Sequence, residues 1–254
     1  MKKIIVLSFG LLVVFVVSAI AHLPAQLVVN NAPLPAQLTL TGVQGTVWQG
    51  SATNVRWQSM NLGQLHWSLA PAKLLTGAAE AQVRFGQGSD MQLTGRGTVG
   101  YQFSGTPYLE NVVASMPVEE IIQRAPNMPI PLTLDGRVEL MVKQLNYAAP
   151  FCSSADGSVV WNTDKVGTPL ADLTVGPVIA DFTCADSTIN LNASQQSAQV
   201  ESAAEVTLQP NFSYQSKGWF KPSGEFPASL TEQLRWLPDP DSSGRYSFNY
   251  SGRL

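Results

Sequence analysis

GRGTVG, residues 95–100, reproduces the G-x-G-x-x-G spacing that seats a pyrophosphate on a helix N-terminus in dinucleotide-binding proteins. That chemistry needs a helix after the glycines, but the next residues are YQFSGTPY, an extended run with a Gly-Thr-Pro turn. The glycines therefore read as bulge or strand-end residues. Paired carboxylates are the second candidate, Glu119 with Glu120 or Asp239 with Asp241, as acid and base of a glycosidase. Glu119 and Glu120 fall in the first turn of a predicted helix, where negative charge complements the helix dipole without any catalytic role. His22 and His66 are the only histidines, which leaves little for a His-based triad or a multi-His metal site. His66 also lies on the polar side of QLHWSL, opposite Leu65, Trp67 and Leu69, as a solvated strand residue would. The phosphate-loop, zincin, serine-hydrolase and Ser-Lys signatures are absent. The expectation is a protein with no catalytic, cofactor-binding or metal-binding residues, and no cofactor.

The elements that would position any such residues are strands. Hydrophobic residues make up 44% of the chain, enough for a core, while charged residues make up only 13%. With 20 Gly and 17 Pro, that profile favours sheets and turns over helices. Apolar and polar residues alternate in AEAQVRF, where Ala79, Ala81, Val83 and Phe85 share one side and Glu80, Gln82 and Arg84 the other. The same period of two recurs in QLTLT, QLHWSL, RVELMV, TINLNA, AEVTLQ and RYSFNYS. Short turn-rich gaps such as Asn61-Leu62-Gly63 and Asp241-Ser242-Ser243-Gly244 join antiparallel neighbours, whereas parallel strands need long crossovers. The dry face would carry Val83, Phe85, Leu93, Val138, Leu140, Val206 and Leu208. Three short helices are expected: Pro71 to Leu75, Pro117 to Ala125 after Ser115, and Leu230 to Leu237 with a Ser229–Glu232 capping box. In GVQGTVWQGSA, residues 42–52, the glycines give turns or bulges and let a bulky Trp lie against bare backbone; Trp48, Trp57 and Trp67 read as core.

At the N-terminus, Lys2 and Lys3 precede an uncharged run from Ile4 to Ala21, which as a helix spans about 27 Å and just crosses a hydrocarbon core. The same segment fits a signal peptide cut after Ala19-Ile20-Ala21, although the apolar run is long for that role and continues past the cut; the anchor is the preferred reading. Either way the basic end stays cytoplasmic and the rest is exported. An exported pair of cysteines, Cys152 and Cys184, most simply forms one structural disulfide, and no C-x-x-C supports a redox role. The net charge of −3 becomes 13 basic against 18 acidic residues once Lys2 and Lys3 are set aside. With the basic residues scattered singly from Arg56 to Arg253, nucleic acid is not expected as a partner.

The Lys-led apolar segment, GVQGTVWQGSA (42–52), GQLHWSLAPAKLLTG (63–77) and the terminal GRYSFNYSGRL (244–254), in that order, resemble the type II secretion system protein N family. Residues 100–200 resemble it only in their β character. The resemblance implies a single-pass protein of the bacterial inner membrane with a β-rich periplasmic domain, contacting other inner-membrane or periplasmic secretion components and carrying no catalytic residues. The combined expectation is an all-β fold: an antiparallel, curved or sandwich-like sheet of many short strands, with two or three short helices, after one transmembrane helix. Residues 1–23 form the cytoplasmic stub and anchor and 24–254 the periplasmic β domain, with a sub-boundary near the Pro-rich 126–131. The alternative is a periplasmic lipid-binding or lipid-transfer module whose curled sheet holds acyl chains on its dry face.

Overall fold

The computed structural model describes residues 2–31, 35–123, 132–163 and 165–253, with the side chains of the first helix described from Gly10 onward. In chain order the strands are β1 (Leu38–Gly45), β2 (Gln49–Trp57), β3 (Met60–Leu69), β4 (Ala78–Phe85), β5 (Thr94–Gln102), β6 (Pro107–Pro117), β7 (Thr133–Leu134) and β8 (Arg137–Asn146). They continue as β9 (Ser154–Asn162), β10 (Lys165–Gly167), β11 (Asp172–Thr174), β12 (Val178–Ala185), β13 (Thr188–Gln196), β14 (Val200–Leu208), β15 (Ser213–Pro222) and β16 (Tyr246–Arg253). Thirteen of them form one sheet in simple chain order, from β1 at one edge to β16 at the other, while β11, β10 and β7 make a small second sheet. Every ladder is antiparallel, as the short turns require. β6 and β8, on either side of the Pro-rich bridge, are direct neighbours in the large sheet, and residues 126–131 themselves lie outside the described residues.

The alternation in the sequence becomes two faces. One cross-strand row reads Val142, Gly157, Phe182, Leu191, Val206; the adjacent row reads Asp156, Thr183, Asn190, Thr207, Gln215. Ala79, Ala81, Val83 and Phe85 share the apolar face with Val138, Leu140, Val206 and Leu208, whereas Leu93 precedes β5 and belongs to no strand. Met141 and Ile179 interrupt the polar face and are about half exposed there.

Among the described residues, no sheet layer of comparable size lies over the apolar face of the thirteen strands. Among the described residues no large side chain is fully buried, as the inner layer of a sandwich core would be, so the sandwich alternative is not realised. A sandwich needs a break that lets half the strands fold back, and here the ladder runs unbroken from β1 to β16. Nor is there a ladder between β1 and β16 among the described residues, so the sheet is open rather than a closed barrel. The accessible surface, 16379 Å², far exceeds the about 11,000 Å² that a compact monomer of this mass exposes. Exposed side chains of the first helix, from Leu11 to Ile20, and of the sheet, such as Tyr101, Met141, Ile179 and Tyr250, contribute to it.

The helices depart from expectation in detail. α1 is Lys2–Ala21 and α2 is Ala25–Asn31. Among the described residues no helix is long and apolar enough to cross a membrane; the part of α1 from Gly10 covers only about 18 Å. Its Leu11, Val14, Phe15 and Ile20 are all exposed, which leaves the described side chains of the helix, from Gly10 onward, apolar and uncovered by the sheet. α3 is Pro71–Leu75, as read from the sequence. α4 is Val118–Ile122 with Pro117 at its cap; Ser115 lies within β6, because the strand continues further than the capping pattern suggested. The expected third helix begins earlier, as α5 (Ala228–Thr231) capped by Pro227, and tightens into a 3-10 turn over Glu232–Trp236; Ser229 makes no capping box because it lies inside the helix.

Candidate interaction surfaces

The chemistry motifs resolve into structural parts. GRGTVG lies wholly inside β5. Its last glycine, Gly100, sits in one cross-strand row between Glu80 and Tyr108. A Cβ at Gly100 would collide with the Tyr108 ring, so the glycine clears the path by which the phenol reaches over to Glu80. Tyr108 Oη donates to Glu80 Oε2 at 2.8 Å, and Lys73 Nζ on α3 lies 2.9 Å from the same oxygen. The Lys73 ammonium holds the Glu80 carboxyl below the usual carboxylate range, against the opposing effect of burial and with help from Tyr108. Burial, reinforced by the bond to Glu80, pushes the Tyr108 phenol up to about 12.

These shifts fix a pH window. Glu80 titrates lower folded than unfolded, so its contribution is full above the ordinary glutamate range, near 4.3, and disappears as pH falls through the lowered value. Tyr108 titrates higher folded than unfolded, so its contribution is full below about 10 and is lost as pH rises toward 12. Tyr108→Phe is expected to cost roughly 1–2 kcal/mol at neutral pH, with the gap from wild type closing between about pH 10 and 12. Ultraviolet titration of the six tyrosines checks the cause. The latest-ionising phenol must vanish in the variant; if the high-pH step persists, Tyr108 is not its source.

Asp241 is likewise spent locally. Its carboxylate accepts bonds from Ser243 N, Ser243 Oγ and Arg245 N at 2.9, 2.7 and 2.9 Å, and the Ser243 hydroxyl first of all holds its pKa low. Glu119 and Glu120 occupy the first turn of α4. His22 Nδ1 lies 2.9 Å from Ser18 O, one turn back on α1, and His66 is exposed on the polar face. No group of three or more metal-ligating side chains occurs among the described residues.

Cys152 and Cys184 are joined as a disulfide, and both are buried with Ala155 in a cluster lined by Leu145, Phe151, Phe182 and Ile189. The bond ties the loop before β9 to β12, its ladder neighbour.

The remaining features are surfaces. On the apolar face, Val178, Ala204, Phe220 and Phe248 wall a cavity of about 310 Å³, and Phe220 stacks on Phe248 with ring centroids 5.7 Å apart. At one rim the first helix is wired to the sheet: Trp48 Nε1 donates to Ile20 O at 2.8 Å, Val47 N donates to Leu23 O at 3.0 Å, and Ala25 is buried against the joint. Trp67 backs this joint by donating its Nε1 to Val47 O, its ring filling the space over Gly50 that a Cβ would occupy. The far rim, β16, carries no charge before Arg253, no proline and, among the described residues, no ladder partner on its outer side. It lacks the devices by which natural sheets blunt an edge.

The sequence profile described as "Type II secretion system (T2SS), protein N" matches residues 36–249. The chain belongs to the type II secretion system protein N family. It is 46% identical to the type II secretion system protein N of Vibrio cholerae, over 97% of this chain and 98% of that one. It is 34% identical to the Aeromonas hydrophila protein of the same name over the whole of both chains, and 24% identical to that of Pectobacterium carotovorum over 100% and 99%. No solved structure matches. Membership gives this chain a role in type II secretion and an association with the cell envelope, and no enzyme family is indicated. The alternating strands were legible in the sequence. The Glu80–Lys73–Tyr108 trio, the two rims and the row His66–Arg84–Arg96 were not, because each depends on which residue stands opposite which.

Proposed function

We propose that the protein is an inner-membrane-anchored, non-catalytic component of the type II secretion machinery that aids export of folded periplasmic proteins through protein–protein contacts. Residues 1–23 serve as cytoplasmic stub and anchor, and 24–254 as the periplasmic β unit. The carrying observation is a thirteen-stranded sheet with an uncapped β16 rim, in a chain that exposes 16379 Å², within a family named for secretion. Such rims bind by adding strands, which needs main-chain groups rather than special side chains. The exposed apolar side chains of α1 from Leu11 to Ile20 support the anchor, since such a helix is stable only when lipid or protein surrounds it. Mild crosslinking in intact cells followed by detergent extraction is expected to recover the chain with other inner-membrane secretion components, and recovery only as an isolated monomer overturns the reading. Deleting residues 2–21 behind a cleavable export signal is expected to move the protein from the membrane pellet to the soluble periplasmic fraction. Retention in the pellet after alkaline washing counts against the anchor.

A second reading rests on the uncovered apolar face and its cavity of about 310 Å³ between Val178, Phe220 and Phe248. Here the sheet holds acyl chains. Native mass spectrometry of the intact detergent-purified protein is expected to retain phospholipid adducts, and a lipid-free spectrum removes this reading.

A further inference from the structure

On the polar face, at the centre of β3, β4 and β5, three basic side chains fall in one cross-strand row: His66 stands opposite Arg84, and Arg84 opposite Arg96. Like charges directly opposed in a ladder destabilise it, and a sheet poor in charged residues has little reason to keep such a pair for folding. Neither arginine has an ion-pair or hydrogen-bond partner among the described residues. Of the nearby carboxylates, Glu80 is held by Lys73 and Tyr108, and Glu110 stands opposite Thr98, outside any ion pair with either arginine. The arginines line a cavity of about 770 Å³ together with the uncharged, hydrogen-bonding Gln64, Ser68, Gln82 and Thr98, and with Trp67, Val83 and Phe85. At its margin stands Asn111, with φ +50°, the extra residue where β6 bulges against β5. Bulges of this kind redirect a side chain, and Asn tolerates the left-handed backbone that does so here.

From this we propose that the His66–Arg84–Arg96 pocket binds an acidic segment of a partner protein, the two guanidinium groups taking carboxylates and the amide and hydroxyl side chains taking its backbone. Two arginine forks side by side suit two carboxylates, with geometry a point charge does not supply. A lipid headgroup fits less well: Arg84 and Arg96 stand on the polar face among Gln64, Gln82 and Thr98, and Trp67, Val83 and Phe85 are too few to cover acyl chains tethered to a bound phosphate. The proposal rests on the protein-contact reading above and adds the chemistry of one contact.

The test is fluorescence anisotropy of a labelled peptide rich in Asp and Glu, titrated with the purified full chain in a non-ionic detergent. Binding is expected at low ionic strength, and it should weaken steeply between about 0.01 M and 1 M salt as the Debye length shrinks. Arg84→Gln with Arg96→Gln should lower affinity roughly tenfold or more, whereas Arg56→Gln, on an exposed strand position outside the pocket, should leave it unchanged. Because the double variant removes a like-charge opposition, its melting temperature should be no lower than wild type, which separates lost binding from lost folding. No peptide binding, or binding indifferent to the two arginines, overturns the proposal. So does arginine-dependent binding to phosphatidylglycerol vesicles without peptide binding. If crosslinking to secretion components persists in the double variant while peptide binding was never present, this proposal falls and the contact reading stands.

Discussion

Removing the Cys152–Cys184 bond, by reduction or as C152A/C184A, is expected to lower the melting temperature by on the order of 10 °C. The bond closes a loop of 32 positions, which on the chain-entropy model restricts the unfolded chain by roughly 3–4 kcal/mol. For a chain of this size each kcal/mol moves the midpoint by about 2–4 °C. The native side adds to the loss, because both cysteines are buried with Ala155 in one of the few closed patches of an otherwise single-layered sheet. Calorimetry with and without reductant reads the effect. A shift under about 2 °C would mean that the ladders β8–β9–β12 alone hold this region and that the loop closure contributes little.

Trp67→Ala is expected to cost about 2–3 kcal/mol, below the 3–5 kcal/mol of a fully buried aromatic because the ring is only half buried. Three losses add: the ring's contact over Gly50, its bond to Val47 O at 3.1 Å, and the support that Val47 gives by donating to Leu23 O. The last makes the effect more than local. Val47 N and Trp48 Nε1 tie the first helix to the sheet, so loosening the β1–β2 turn frees the helix from its rim. Urea titration measures the stability. Limited proteolysis between Leu23 and Gln37 should quicken by more than global stability accounts for, and if cleavage tracks global unfolding alone, Trp67 does not brace the joint.

Both expectations start from residues that the sequence advertises, and they mark where its information stops. A period of two decides which side chains share a face, because successive residues of an extended chain point to opposite sides, and short Gly- and Asp-rich gaps decide that neighbours run antiparallel. The all-β class, the meander and the dry face of β4, β8 and β14 come from those two facts in AEAQVRF, RVELMV and AEVTLQ. β12 and β15 were less legible, since VIADFTCA and SYQSKGWFKP alternate weakly and take strand form from the neighbours they pair with. Capping patterns misplaced Ser115 and Ser229 because ladder pairing outweighed a local cap at the first and Pro227 had already started the helix at the second. Pairing across strands was beyond reach altogether: Arg84 and Arg96 are twelve positions apart and read as scattered charges, yet β4 and β5 align them side by side. Whether the sheet closes, folds back or stays open is likewise a matter of tertiary structure, because alternation gives every strand a dry face without saying what, if anything, lies against it.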